Sequence, residues 1–117
     1  MPKTALDVLM FLANNPEFNT AGDVCRYRNI KAALVSFHVE KLVEAGFVER
    51  QAVKGDRRKC RLVCTEKAQP VIKEGRELQK KFAHKLIAGF SDDDMAHFKK
   101  CLHIVSNNID SILKECM

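Results

Sequence analysis

The spacing of apolar residues changes twice along this chain, from helical to alternating and back to helical. From Ala5 to Asn14, Leu6, Leu9, Met10 and Ala13 recur at helical spacing, and "NNPEFN" stops the segment. Three sites place Asp three residues after Ser or Thr: Thr4 with Asp7, Thr20 with Asp23 and Ser91 with Asp94. That spacing lets two side chains satisfy the open amides of a first helical turn, so it predicts three helix starts. The second helix is short, from about Ala21 to Arg28. Asn29 follows at a point where a tight turn can use a left-handed residue, and a third helix begins at once. Val35, Val39 and Leu42 mark its inner face, and Gly46 supplies the usual left-handed end.

Beyond Gly46 the period drops to two. "FVERQAV" and "CRLVCT" flank the charged turn "KGDRRK", which predicts a β-hairpin with Gly55 in its loop. Thr65 is positioned to cap the next helix, and Pro70 predicts that it starts late or kinks. Leu78, Phe82 and Leu86 then return to helical spacing. In the last segment Met95, Phe98, Leu102, Val105, Ile109, Ile112 and Cys116 alternate in steps of three and four, with Ile104 and Leu113 widening the stripe. Such a seam either covers its own domain's core or forms a subunit interface. Its length on so small a chain favours the interface.

The fold class expected is therefore mainly α with a small β-hairpin. A chain of 117 residues with 46% hydrophobic content suffices for one modest core. No apolar run approaches the roughly 20 residues that span a bilayer, and Asp7 interrupts the first apolar stretch, unlike a signal peptide. A cytoplasmic protein without a membrane partner is expected. Five irregularly spaced cysteines predict reduced thiols and no disulfide framework. The net charge of +5 permits a polyanionic partner without requiring one.

Placement of the charge decides more than its sum. A helix, a tight turn, a second helix and then a hairpin form a winged helix-turn-helix. Its second helix fits a DNA major groove, while the hairpin reaches along the backbone toward the minor groove. Lys54, Arg57, Arg58 and Lys59 then sit at the wing tip, where cations neutralise phosphates and an arginine can enter a narrow minor groove. A tip charged only for solvation is the plainer reading. With Val35, Val39 and Leu42 inward, the third helix exposes Lys31, Ala33, Ser36, Phe37, Glu40 and Lys41. Lys31, Ser36, Phe37 and Lys41 are the candidate contacts on that helix. Phe37 either meets a thymine methyl or is buried.

These residues also resemble a family. "VSFHVEKLVEAGFVER", "GDRRKCRLVCTEKA" and "IAGFSDDDMAHFKKCLHIVSNNI" look like a MarR-type transcriptional regulator, the family named for multiple antibiotic resistance, over about residues 5–113. The resemblance rests most on Val35-Ser36, on Gly46 with Val48-Glu49-Arg50, on Asp56-Arg57-Arg58, and on Leu62 to Thr65. It implies a homodimer on a pseudo-palindromic double-stranded DNA operator, acting as a repressor relieved by a small-molecule effector or by cysteine oxidation. It places Ser36 at the DNA surface, directs Arg58 at the minor groove, and makes Asp56 a partner that orients the wing arginines. The family usually carries a further helix before the one near Thr4, where this chain has only "MPK"; association is then expected through residues 71–116, with Met95, Phe98, Leu102, Val105, Ile109 and Ile112 as the dimerisation seam. Residues 1–67 are expected to form the DNA-binding lobe and residues 68–117 the dimerisation region.

Cys60, between Lys59 and Arg61, has the cationic neighbours of a candidate redox thiol, although free cysteines are more often packing residues. His97 and Cys101 stand one helical turn apart without a second metal-ligand pair, so no metal and no cofactor is expected. His38 reads as a packing or hydrogen-bonding histidine rather than a ligand or a base. No phosphate loop, nucleophile elbow or catalytic Cys-His grouping is present, which argues against an enzyme. The remaining rival is a winged-helix protein-interaction module without specific DNA binding, because the fold alone does not specify DNA.

Overall fold

The computed structural model describes residues 1–116, apart from the side chains of Arg57 and Arg58. Its elements are α1 (Lys3–Asn14), α2 (Ala21–Arg28), α3 (Ala32–Glu44), β1 (Val48–Val53), β2 (Asp56–Cys64), a 3-10 turn (Glu66–Ala68), α4 (Gln69–Leu86) and α5 (Asp92–Cys116). Among these described residues, no helix is long and apolar enough to cross a membrane.

The chain divides into two compact units, residues 1–79 and residues 80 onward, and the break falls within α4. In the first unit Val8, Leu9, Val24, Val35, Val39, Leu42, Val48, Leu62 and Ile72 share one core. Each such side chain contributes about 1.5–3 kcal/mol through burial, so no single element dominates.

The local signals mostly act where the sequence puts them. Thr20 Oγ1 accepts from the Asp23 amide at 3.1 Å, and the Asp23 carboxylate accepts from the Thr20 amide at 3.3 Å. Asn29 ends α2 at φ 52°, a left-handed turn that brings α3 in directly. At the end of α3 the Gly46 amide donates to Val43 and the Phe47 amide to Leu42. Gly46 can make this reversal because its φ of 83° penalises any side chain. β1 and β2 pair antiparallel from Val48–Cys64 to Ala52–Cys60, and the register shifts before Val53 meets Asp56.

Four expectations fail. Thr4 does not cap α1: the helix begins at Lys3, two residues earlier than expected, behind Pro2 and with no side-chain cap, and Asp7 lies 3.9 Å from Arg28 instead. The inner face of α1 is also rotated, burying Ala5, Val8, Leu9, Met10 and Leu12 while Leu6 and Ala13 are only half-buried. That helix is apolar almost all round, so period alone could not choose its face. Finally, α4 starts before Pro70, which sits in the first turn where a missing N–H costs no helical bond. Thr65 does not cap it; the Thr65 hydroxyl donates to the Gly46 carbonyl at 2.6 Å and ties the end of the hairpin to its beginning.

Gly75 explains an awkward residue inside α4. A Cβ there would stand 2.6 Å from Met10 Sδ, so any side chain at this position would force the Met10 thioether to move. Arg76 locks the same crossing, with Nε donating to Asn14 Oδ1 at 3.1 Å and Nη2 to the Ala13 carbonyl at 3.2 Å.

In the second unit Ser91 and Asp94 exchange the same pair of bonds seen at Thr20, at 3.0 and 3.1 Å. Phe90 meets Phe98 edge-on at 5.5 Å. No residue of α5 is buried. Phe98, Leu102, Val105, Ile109 and Ile112 are 43–56% exposed and form a long apolar stripe along α5.

Candidate nucleic-acid interface

α3 is held by three buried side chains, Val35, Val39 and Leu42, which fix which residues face outward. Lys31, Ser36, Phe37 and Lys41 are all exposed, as their helical phase requires. His38 is turned inward and is 8% exposed; its Nδ1 has no hydrogen-bond partner among the described residues. Its ring meets Phe37 edge-on at 5.2 Å, while the Lys41 ammonium stands 5.6 Å from the Phe37 ring centre on the cation–π contact. Phe37 is therefore an exposed, braced ring, which resolves the choice between contact and core in favour of the surface.

The hairpin stands beside that helix. A groove of about 380 Å³ is walled by Ser36 and Val39 of α3, Arg50 of β1, Lys59 and Cys60 of β2, and the first turn of α2. Two predicted contacts from separate segments, Ser36 and Lys59, thus line one depression. Arg50 Nη2 donates to Glu40 Oε2 at 2.8 Å and pins β1 to α3. Lys54 is exposed at the turn, where Gly55 takes φ 88°. Asp56 opens β2 and is half-buried. The Arg57 and Arg58 side chains lie outside the described residues.

The cysteines differ in setting. Cys60 is half-buried and lines the groove, with Sγ 3.8 Å from the Arg61 carbonyl. Cys64 Sγ contacts the Leu9 carbonyl at 3.9 Å. Burial pushes the Cys64 thiol above its ordinary value, and the Arg76 guanidinium draws it partway back. Cys101 and Cys116 are exposed on α5. Among the described residues no group of three or more His, Cys, Asp or Glu side chains is arranged to hold a metal ion.

Sequence reasoning missed two surface residues. Arg50 was read as part of the strand after Gly46, yet it braces the groove. Leu34 is 47% exposed on α3, three residues before Phe37 and hence beside it on the helix surface. The i, i+3 spacing of two large apolar residues outside the buried stripe was the available signal.

A family model described as the MarR family matches residues 1–59. The chain is similar to a solved MarR protein from Peptoclostridium difficile, with 21% identity, a TM-score of 0.75, and coverage of 98% of this chain and 74% of that one. It is also similar to Streptococcus pneumoniae FabT in complex with DNA, with 18% identity, a TM-score of 0.69, and coverage of 96% and 78%. A third similar structure is Lactococcus lactis ZitR, described as a zinc-responsive MarR family member, with 25% identity, a TM-score of 0.66, and coverage of 93% and 76%.

Proposed function

We propose that this chain, which belongs to the MarR family, works as a homodimeric repressor that reads a pseudo-palindromic operator with α3 and grips the flanking backbone with its β1–β2 wing. As a member of that family it is a DNA-binding transcriptional regulator and not an enzyme. The observation that carries the finer proposal is the shared groove: Ser36 on α3 and Lys59 on β2 wall the same depression, so helix and wing can meet one duplex together. Lys31, Ser36, Phe37 and Lys41 are assigned to the major groove. Lys54, Arg57, Arg58 and Lys59 are assigned to phosphates and the adjacent minor groove, with Asp56 orienting the arginines.

Dimerisation is assigned to the α5 seam of Met95, Phe98, Leu102, Val105, Ile109 and Ile112. The stripe is long, apolar and about half exposed, and contiguous exposed apolar surface of that kind marks an association site. Release by a small effector or by oxidation of Cys60, which sits in the DNA-facing groove, completes the proposed cycle. Lys59 and the Glu40-paired Arg50 are the cations of an otherwise neutral groove lining, so the salt response of binding separates this reading from the rival protein-interaction one.

The test is a mobility-shift titration against the DNA upstream of the protein's own gene. Two protomers per shifted duplex and repression of a reporter carrying that fragment are expected. An Arg57→Ala/Arg58→Ala variant that binds as tightly as the parent would remove the wing from the account.

A further inference from the structure

The exposed face of α3 carries two large apolar side chains where a reader of phosphates or polar base edges needs none. Leu34 and Phe37 are 47% and 55% exposed, and their i, i+3 spacing sets them side by side. Neither belongs to the core cluster of the first unit. Phe37 is held between the edge of His38 and the Lys41 ammonium. These two contacts restrict the rotamer freedom that a free aromatic would lose on binding, so the ring is poised to act as a contact.

The surroundings indicate what covers this pair. Lys41 stands against the Phe37 ring and 3.6 Å from Glu44 in a solvent-screened pair, Lys31 is exposed at the start of the same helix, and Lys59 lies across the groove from Ser36. An apolar patch set among cations fits a polyanion that also offers methyl groups. In the major groove of duplex DNA, thymine alone presents one, at its C5 position.

Resting on the DNA-binding role above, we infer that Leu34 and Phe37 form a two-point reader of thymine methyl groups, giving each half-site a preference for adjacent thymines. A hydrogen-bonding side chain at position 37 would read a purine edge; a phenyl ring has no donor or acceptor and takes sequence information from the methyl instead. Lys41, fixed beside the ring, supplies the neighbouring phosphate contact and sets the depth of insertion.

Deoxyuridine differs from thymidine only by that methyl, which gives a direct test. Duplexes enriched by the parent protein from a random-sequence pool are resynthesised with deoxyuridine replacing every thymidine, and both forms are titrated against the parent and a Leu34→Ser/Phe37→Ser variant. Both substitutions are on the surface, and circular dichroism verifies that the variant is folded. The parent is expected to bind the uracil form about tenfold or more weakly, the effect of losing several buried methyl contacts. The variant is expected to bind both forms within about twofold of each other, since it retains phosphate contacts that ignore the methyl. Equal binding of both forms by the parent overturns the inference while leaving the DNA-binding role intact. A variant that keeps the parent's preference also overturns it, because the discrimination then lies elsewhere. Failure to enrich any duplex overturns the DNA-binding role and the thymine reader together.

Discussion

Arg50 reaches from the first wing strand to Glu40 on α3 at 2.8 Å, so the wing is tethered to the helix it is proposed to accompany onto DNA. Both side chains are about half exposed, which limits the pair to about 0.2–1 kcal/mol. A double-mutant cycle with Arg50→Ala and Glu40→Ala, read by urea unfolding, is expected to give a coupling within that range and to shrink in high salt.

Gly75 and Met10 should behave as a steric pair. Gly75→Ala places a methyl 2.6 Å from the Met10 sulfur and is expected to destabilise the chain by about 1–3 kcal/mol. In a Met10→Ala background the same change should cost far less, because the obstructing side chain is gone. Denaturant midpoints of the four proteins measure the difference.

Stability should fall at alkaline pH through Cys64. Burial raises its folded-state pKa above the ordinary 9.0, so the folded chain holds this proton more tightly than the unfolded one. The stabilisation is full below about pH 9 and is lost as pH climbs through the raised value. Between pH 8 and pH 10, Cys64→Ala should lose less unfolding free energy than the parent. The same burial predicts that iodoacetamide labels the exposed Cys101 before Cys64 at pH 7, measurable by mass spectrometry.

The α5 seam predicts a monomer on charge insertion. Leu102→Glu/Ile109→Glu alters residues that are half exposed in the single chain, so each protomer should keep its fold. Light scattering is expected to find a dimer for the parent and a monomer for the variant, with operator affinity falling sharply as the second half-site contact is lost.

How much of this was legible beforehand depended on whether a local rule acted alone. Asn29, Gly46 and Gly55 sit at left-handed positions that their residue types nearly dictate, and α2 runs from Ala21 to Arg28 as its cap and turn require. The same Ser/Thr-x-x-Asp spacing nonetheless caps at Thr20 and Ser91 and fails at Thr4, where the helix starts two residues earlier behind Pro2. Thr20→Ala should therefore cost about 1 kcal/mol and Thr4→Ala close to nothing, a contrast visible in thermal midpoints. The inner face of α1 was illegible because its apolar residues surround the helix, and the choice was made by tertiary partners such as Gly75. On the candidate interface, exposure of Lys31, Ser36, Phe37 and Lys41 followed from the inward stripe of α3. The groove that Ser36 shares with β1 and β2 was not legible, since Ser36 and Lys59 are far apart in sequence.

The most direct measurement is operator affinity across a salt series from 50 to 200 mM, made on the dimer with and without Lys54→Ala/Lys59→Ala. A helix and a cationic wing gripping roughly six to ten phosphates predict that log affinity falls against log salt with a slope of about −5 or steeper, shallower by about 1 for each lysine removed. A slope near zero, unchanged in the variant, would contradict the joint grip on which the account depends.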